Sequence, residues 1–314
     1  MKKLLFTLLF ALFSMLIQAQ ESQTEYNFLR LPVSAHAAAL GGENITIIED
    51  DPSLMFSNPA LASSVSDKTV GVSYMNYMHG ANYMGASYTK ALGEKATLAG
   101  GVQYMSYGRM KEVDANNVQT GSFNASEMAI EAILAYELAP NLMGGITAKL
   151  ITSHIANYSS MAVGVDLALN WYEPERQWSV SLVGKNLGGQ IKAYEENYGK
   201  MPIDLQVGVS KTFEALPIRV SATMVDLTHK PLSLSHHLCL GAEVLLSESI
   251  WIGGGYNFRK GEEMIIGNND EASAHGAGFS LGGGINLEQF KLNLAWGKYH
   301  AASSSILVNL AYSF

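Results

Sequence analysis

From Lys68 to its last residue the chain is a succession of short segments in which apolar residues alternate with small or polar ones. Period-two alternation gives an extended strand one greasy face and one small, polar face. In SSMAVGVDLALNWYE, Met161, Val163, Val165, Leu167, Leu169 and Trp171 oppose Ala162, Gly164, Asp166, Ala168 and Asn170. IDLQVGVSKTF, HLCLGAEVLL and FKLNLAWGK repeat the pattern, and so does the terminal SSSILVNLAYSF. Fourteen such segments follow one another, the first near residues 68–75 and the last near 304–314. Many have the length of tilted spanning strands, and an even count is what a closed antiparallel bacterial barrel requires.

The connections test this independently, because such barrels have short turns at one end and longer loops at the other. Counting back from Phe314, alternate connections are LGE, LAP, EPERQ, ALP, the region of Ser247 and Glu248, and LEQ, all short. The others include GRMKEVDANNVQTGS, GGQIKAYEENYGKM and KGEEMIIGNNDEASA. The expected fold is therefore all-β: a 14-stranded antiparallel transmembrane β-barrel over residues 68–314. Lipid offers no hydrogen bonds, so the apolar rows face outward and Lys149, Asp166, Arg219, Glu243 and Lys291 face the lumen. Trp171, Trp178, Tyr256, Phe258, Trp296, Tyr312 and Phe314 lie near strand ends on the outward side, as aromatic girdles do.

Residues 1–19 read as a secretory signal peptide: Lys2 and Lys3, an apolar run to Ile17, and a small-residue exit at Ala19. Losing both lysines takes the formal charge from −8 to −10, which argues against nucleic acid as a partner. Charged residues make up only 15% of the chain, against roughly 25% in soluble domains, which fits a surface covered by lipid. Cys239 stands alone, so no internal disulfide is expected.

Nothing here points to a catalytic, metal or cofactor site. His229, His236 and His237 match no ligand spacing, and no serine is paired with a base. Gly253–Gly255 and Gly282–Gly284 sit within strand patterns and read as curvature or a crowded lumen rather than phosphate cradles.

Residues 20–67 lack strand periodicity and are expected to form an N-terminal hatch, inside the barrel or facing the periplasm. Asn58-Pro59-Ala60 is its expected turn, with Pro59 fixing φ and Asn58 bonding its own backbone. These residues also carry a resemblance. Asn58-Pro59-Ala60-Leu61-Ala62, after Asp50-Asp51-Pro52 and the run Ala37-Ala38-Ala39-Leu40-Gly41-Gly42, resembles the hatch of FadL-like outer-membrane barrels. Phe28-Leu29-Arg30-Leu31-Pro32 leading into that run resembles the PorV/PorQ branch, with length and layout most like PorQ.

The resemblance implies a non-enzymatic outer-membrane component of the type IX secretion system of Bacteroidota. Such a protein anchors a PorZ-like surface partner of the attachment complex that receives secreted cargo. The alternative is a FadL-like channel for hydrophobic small molecules, although the chain lacks an obvious long apolar capture loop. Besides outer-membrane lipids, the implied partners include the barrel assembly machinery, for which Tyr312 and Phe314 would form the recognition signal. Candidate partner-binding loops lie near residues 108–122, 188–201 and 260–274, where Tyr194, Tyr198, Met264 and Ile265 offer apolar contacts among charges.

Overall fold

The computed structural model describes residues 24–78, 80–213, 216–228, 234–263, 276–300 and 303–314. The expected signal peptide, Met264 and Ile265 lie outside them. Strands β1 (Thr69–Met78), β2 (Ala81–Leu92), β3 (Ala96–Val113), β4 (Gln119–Ala139) and β5 (Leu142–Ile155) come first. They are followed by β6 (Tyr158–Glu173), β7 (Trp178–Lys192), β8 (Asp204–Phe213), β9 (Ile218–Met224) and β10 (Leu238–Leu245). β11 (Ile250–Asn257), β12 (Phe279–Asn286), β13 (Phe290–His300) and β14 (Ser303–Ser313) complete one closed sheet. Each strand runs antiparallel to its sequence neighbours, and β1 closes on β14 from Thr69 opposite Ser313 to Asn76 opposite Ile306.

The alternation divides the faces as its period requires. In β6, Val163, Leu167, Leu169 and Trp171 are 40–49% exposed, whereas Ala162, Asp166 and Asn170 are at most 3% exposed. Lys149, Glu243 and Lys291 are buried on the same inward side. The outward faces carry an apolar surface that water would not tolerate and lipid would.

At one end the connections are short, among them residues 93–95, 140–141 and 287–289. At the other they include residues 193–203 and 225–237. Here the loop boundaries need correcting. Most of the expected loop 108–122 is strand: β2 pairs with β3 only to Ser106, and β5 with β4 only to Ala125. Beyond them Arg109–Val113 pairs with Gln119–Asn124 alone, forming a two-stranded ribbon clear of the sheet. Its tip is residues 114–118, where the Asp114 carboxylate accepts from the N–H groups of Asn116 and Val118 at 2.8 and 2.9 Å. A ribbon wet on both faces needs no apolar row, so its sequence reads as loop. Likewise β7 continues to Lys192, into the expected loop 188–201, and Phe258–Glu263 is a short helix that takes the last two residues of the expected strand 249–259 and the first four of the expected loop 260–274.

The N-terminal segment lies against the inward side of the sheet. It holds 3-10 turns at Asn27–Arg30, Pro52–Phe56 and Pro59–Ser64 and a one-turn helix at Ala35–Ala39. Ser34, Asp51 and Asn58 cap the last three in chain order, and Pro52 and Pro59 start their turns where a missing N–H does no harm. The segment begins at the loop end, where Thr24 bridges Lys200 and the Tyr26 hydroxyl meets Ser160 at 2.8 Å. It leaves at the tight-turn end, into β1.

Candidate functional site

The chemistry of the chain is concentrated where the N-terminal segment meets the wall. Close approach is made possible by inward-facing glycines. A β-carbon on Gly101 would lie 2.5 Å from the Phe56 ring, on Gly85 2.7 Å from Val33, and on Gly241 2.7 Å from Leu40. On Gly145 and Gly255 it would run into the backbone of Ala60 and of Gly41. The crowded-lumen reading of Gly255 and Gly282 therefore fits, the latter standing against Ala39.

Three successive acids are each taken by the wall. Glu49 pairs with Arg219 at 2.5 Å and accepts from Asn286 at 3.0 Å. Asp50 pairs with Lys291 at 2.6 Å. Asp51 accepts from Asn293 at 3.1 Å and from the Ser53 hydroxyl and N–H at 2.7 and 2.8 Å. Burial holds the Asp51 carboxyl above its ordinary pKa, against the opposing pull of the Ser53 bonds.

Arg219 also bonds Glu243, whose other oxygen meets His36 Nε2 at 2.6 Å. His36 and Glu243 are fully buried, so the cluster holds charge that is viable only when paired. Elsewhere, Lys149 pairs with Asp166 at 2.7 Å and donates to Asn186 at 2.9 Å. Asn309 of β14 donates to Val33 O at 2.8 Å and accepts from the Ala35 N–H, so the last strand holds the segment directly.

Asn58 is buried and does two jobs. Its Oδ1 accepts from the Ala60 N–H at 2.9 Å, as expected, and its Nδ2 reaches Ile45 O at 2.8 Å and Ser181 at 3.2 Å. The expected turn at Asn58-Pro59-Ala60 is thus the capped start of the 3-10 turn. Of the loop aromatics, Tyr198 is 65% exposed, whereas the Tyr194 hydroxyl is tied to Ser153 at 2.5 Å. Tyr194 is therefore not a free contact residue, and partial burial raises its pKa.

Sequence reasoning missed His36, Glu49 and Trp251 as members of this interface. Trp251 points inward, 2% exposed, and the available sign was its parity, opposite to Ile250 and Ile252. His236 and His237 do not converge: one meets Glu262 at 2.8 Å, the other Val225 O at 2.7 Å. A polar cavity of about 180 Å³ opens among Arg30, Glu43, Asp204, Asp226, Arg259 and Lys260. Charges so close suit a polar occupant better than an apolar one.

No protein-family model matches the chain, and no curated protein matches its sequence. Solved structures do match its fold. A FadL homologue from Pseudomonas aeruginosa aligns over 90% of this chain and 98% of its own, with a TM-score of 0.57 and 9% identity. The toluene transporter TbuX from Ralstonia pickettii aligns over 90% and 96%, with a TM-score of 0.55 and 13% identity. The P. putida toluene transporter TodX aligns over 88% and 97%, with a TM-score of 0.57 and 13% identity. Likeness at these identities is likeness of fold: the chain is a closed, 14-stranded antiparallel barrel whose structural neighbours include a FadL homologue and toluene transporters.

Proposed function

We propose that the chain is an outer-membrane barrel, plugged by its N-terminal segment, that holds a partner protein at the cell surface. Through its likeness to the PorV/PorQ branch, we assign it to the attachment complex of the type IX secretion system, with a PorZ-like partner. The observation that carries this reading is the clamped interface. A hatch held by Glu49, Asp50 and Asp51 and seated on glycines suits a stable anchor. The ribbon at the tip of β3 and β4 stands clear of the sheet on the side where such a partner would dock. Deleting the gene should release secreted cargo and the partner from the cell surface, and pull-down from detergent-solubilised outer membrane should recover the partner. Normal attachment in the deletion strain would overturn the reading.

A second reading, passage of hydrophobic small molecules with the hatch as gate, fits the structural neighbours better than the first does. Two of the three described above are toluene transporters by name. Uptake of labelled toluene by cells carrying the barrel, changed by Asn58→Ala, would favour it. Uptake equal to that of cells lacking the barrel would remove it.

A further inference from the structure

A groove of about 780 Å³ crosses the outward face from β8 to β12. Its floor lies where outward positions shrink to Ala222, Ala242 and Gly254. The pairing places Lys211, Val220, Ala242, Gly254 and Leu281 in one row across five strands. Four strand spacings make that row ~19 Å long. That exceeds half of the ~30 Å hydrocarbon core of a bilayer, so an acyl chain can lie along it.

Lys211 stands at the tight-turn end of this row, outward-facing with Val207 and Val209 and two residues before β8 ends. Its ammonium lies 5.3 Å from the centre of the Trp178 ring and donates to Arg176 O. A lysine there keeps its stem among apolar groups and its charge at headgroup level, and tryptophan favours the same depth. An apolar trough ending in a cation fits an amphiphile with a fatty chain and an anionic head. The second outward groove, about 720 Å³ and bordered by Leu134, Leu167 and Leu205, has no cationic side chain in its lining.

We propose that the β8–β12 groove is a binding site for one glycerophospholipid of the leaflet at the tight-turn end, its phosphate on Lys211 and an acyl chain over Ala242 and Gly254. The site requires only that the barrel sits in a membrane, so it stands whichever function holds.

Native mass spectrometry of the detergent-purified barrel, washed and then titrated with dioleoylphosphatidylethanolamine, tests it. The expected result is one retained phospholipid per barrel. Lys211→Gln should weaken retention roughly tenfold, the scale of one charge-assisted hydrogen bond, and Ala242→Phe should abolish it. Heat-modifiable gel migration confirms that each variant folds, and the change at the outward-facing, half-buried Lys211 decides the matter if Ala242→Phe does not. Equal retention in all three proteins, retention of lipid A alone, or a doubled mass from a second copy would each overturn the proposal.

Discussion

The imidazole of His36 lies flat on the indole of Trp251, ring centroids 3.7 Å apart and planes within 8° of parallel. The same imidazole bonds Glu243, so one side chain joins the N-terminal segment to β10 and β11. His36→Ala would leave Glu243 with Arg219 alone inside a buried interface. We expect a loss of about 3–5 kcal/mol, the range for breaking a buried pair. Denaturant unfolding in detergent, followed by tryptophan fluorescence, measures it, and a change below ~1 kcal/mol would mean that the pairing is not integral to docking.

Asp51 makes docking depend on pH. Its folded pKa is raised, so below the ordinary aspartate range both folded and unfolded states hold the proton and the buried carboxylate costs nothing. As pH rises through that range the unfolded state ionises first, and stability falls until the folded carboxyl also ionises. Protection factors of residues 49–65, which correct for the pH dependence of intrinsic amide exchange, should therefore fall as pH rises through and above the ordinary aspartate range. Asp51→Asn should flatten this dependence while costing about 1–3 kcal/mol, because its amide would face the Asn293 amide that now donates to it.

Gly145 supports the turn that starts at Pro59. Gly145→Ala puts a methyl group into the Ala60 backbone, which cannot yield as a flexible side chain can. The closed sheet should survive, retaining heat-modifiable migration, while limited proteolysis cuts within residues 44–65. Protection equal to the parent would show that the segment can shift to make room.

Phe314 is 76% exposed and makes an edge-to-face contact with Tyr312 at 5.0 Å. Deleting it removes little burial, so the refolded barrel should lose no more than about 1 kcal/mol. If the aromatic end is the assembly signal, outer-membrane levels in cells should nonetheless fall severalfold. Unchanged levels by membrane fractionation and immunoblot would refute that role.

The strands were legible because every spanning strand contrasts lipid with a packed interior, and that contrast is written at period two in stretches such as Met161–Trp171. The ribbon was not, since Arg109–Val113 and Gln119–Asn124 have no such contrast to record. Asp50 and Asp51 were visible ahead of Pro52, whereas Glu49 beside them was missed. Their partners Arg219, Lys291 and Asn293 lie about 170 to 240 residues away, and nothing local pairs them. Asn58 was readable as a turn former because its bond to Ala60 is local, whereas its reach to Ser181 is not.

The N-terminal segment runs from Tyr26 at one mouth to β1 at the other, inside a sheet whose final join unites β1 with β14. Such a sheet closes around a fitted insert, and a segment seated on inward-facing glycines has more room to dock before β1 meets β14 than after. Losing the whole segment should then surface less as a leak than as barrels that never finish closing, whereas one strained contact, as in Gly145→Ala, leaves the wall closed.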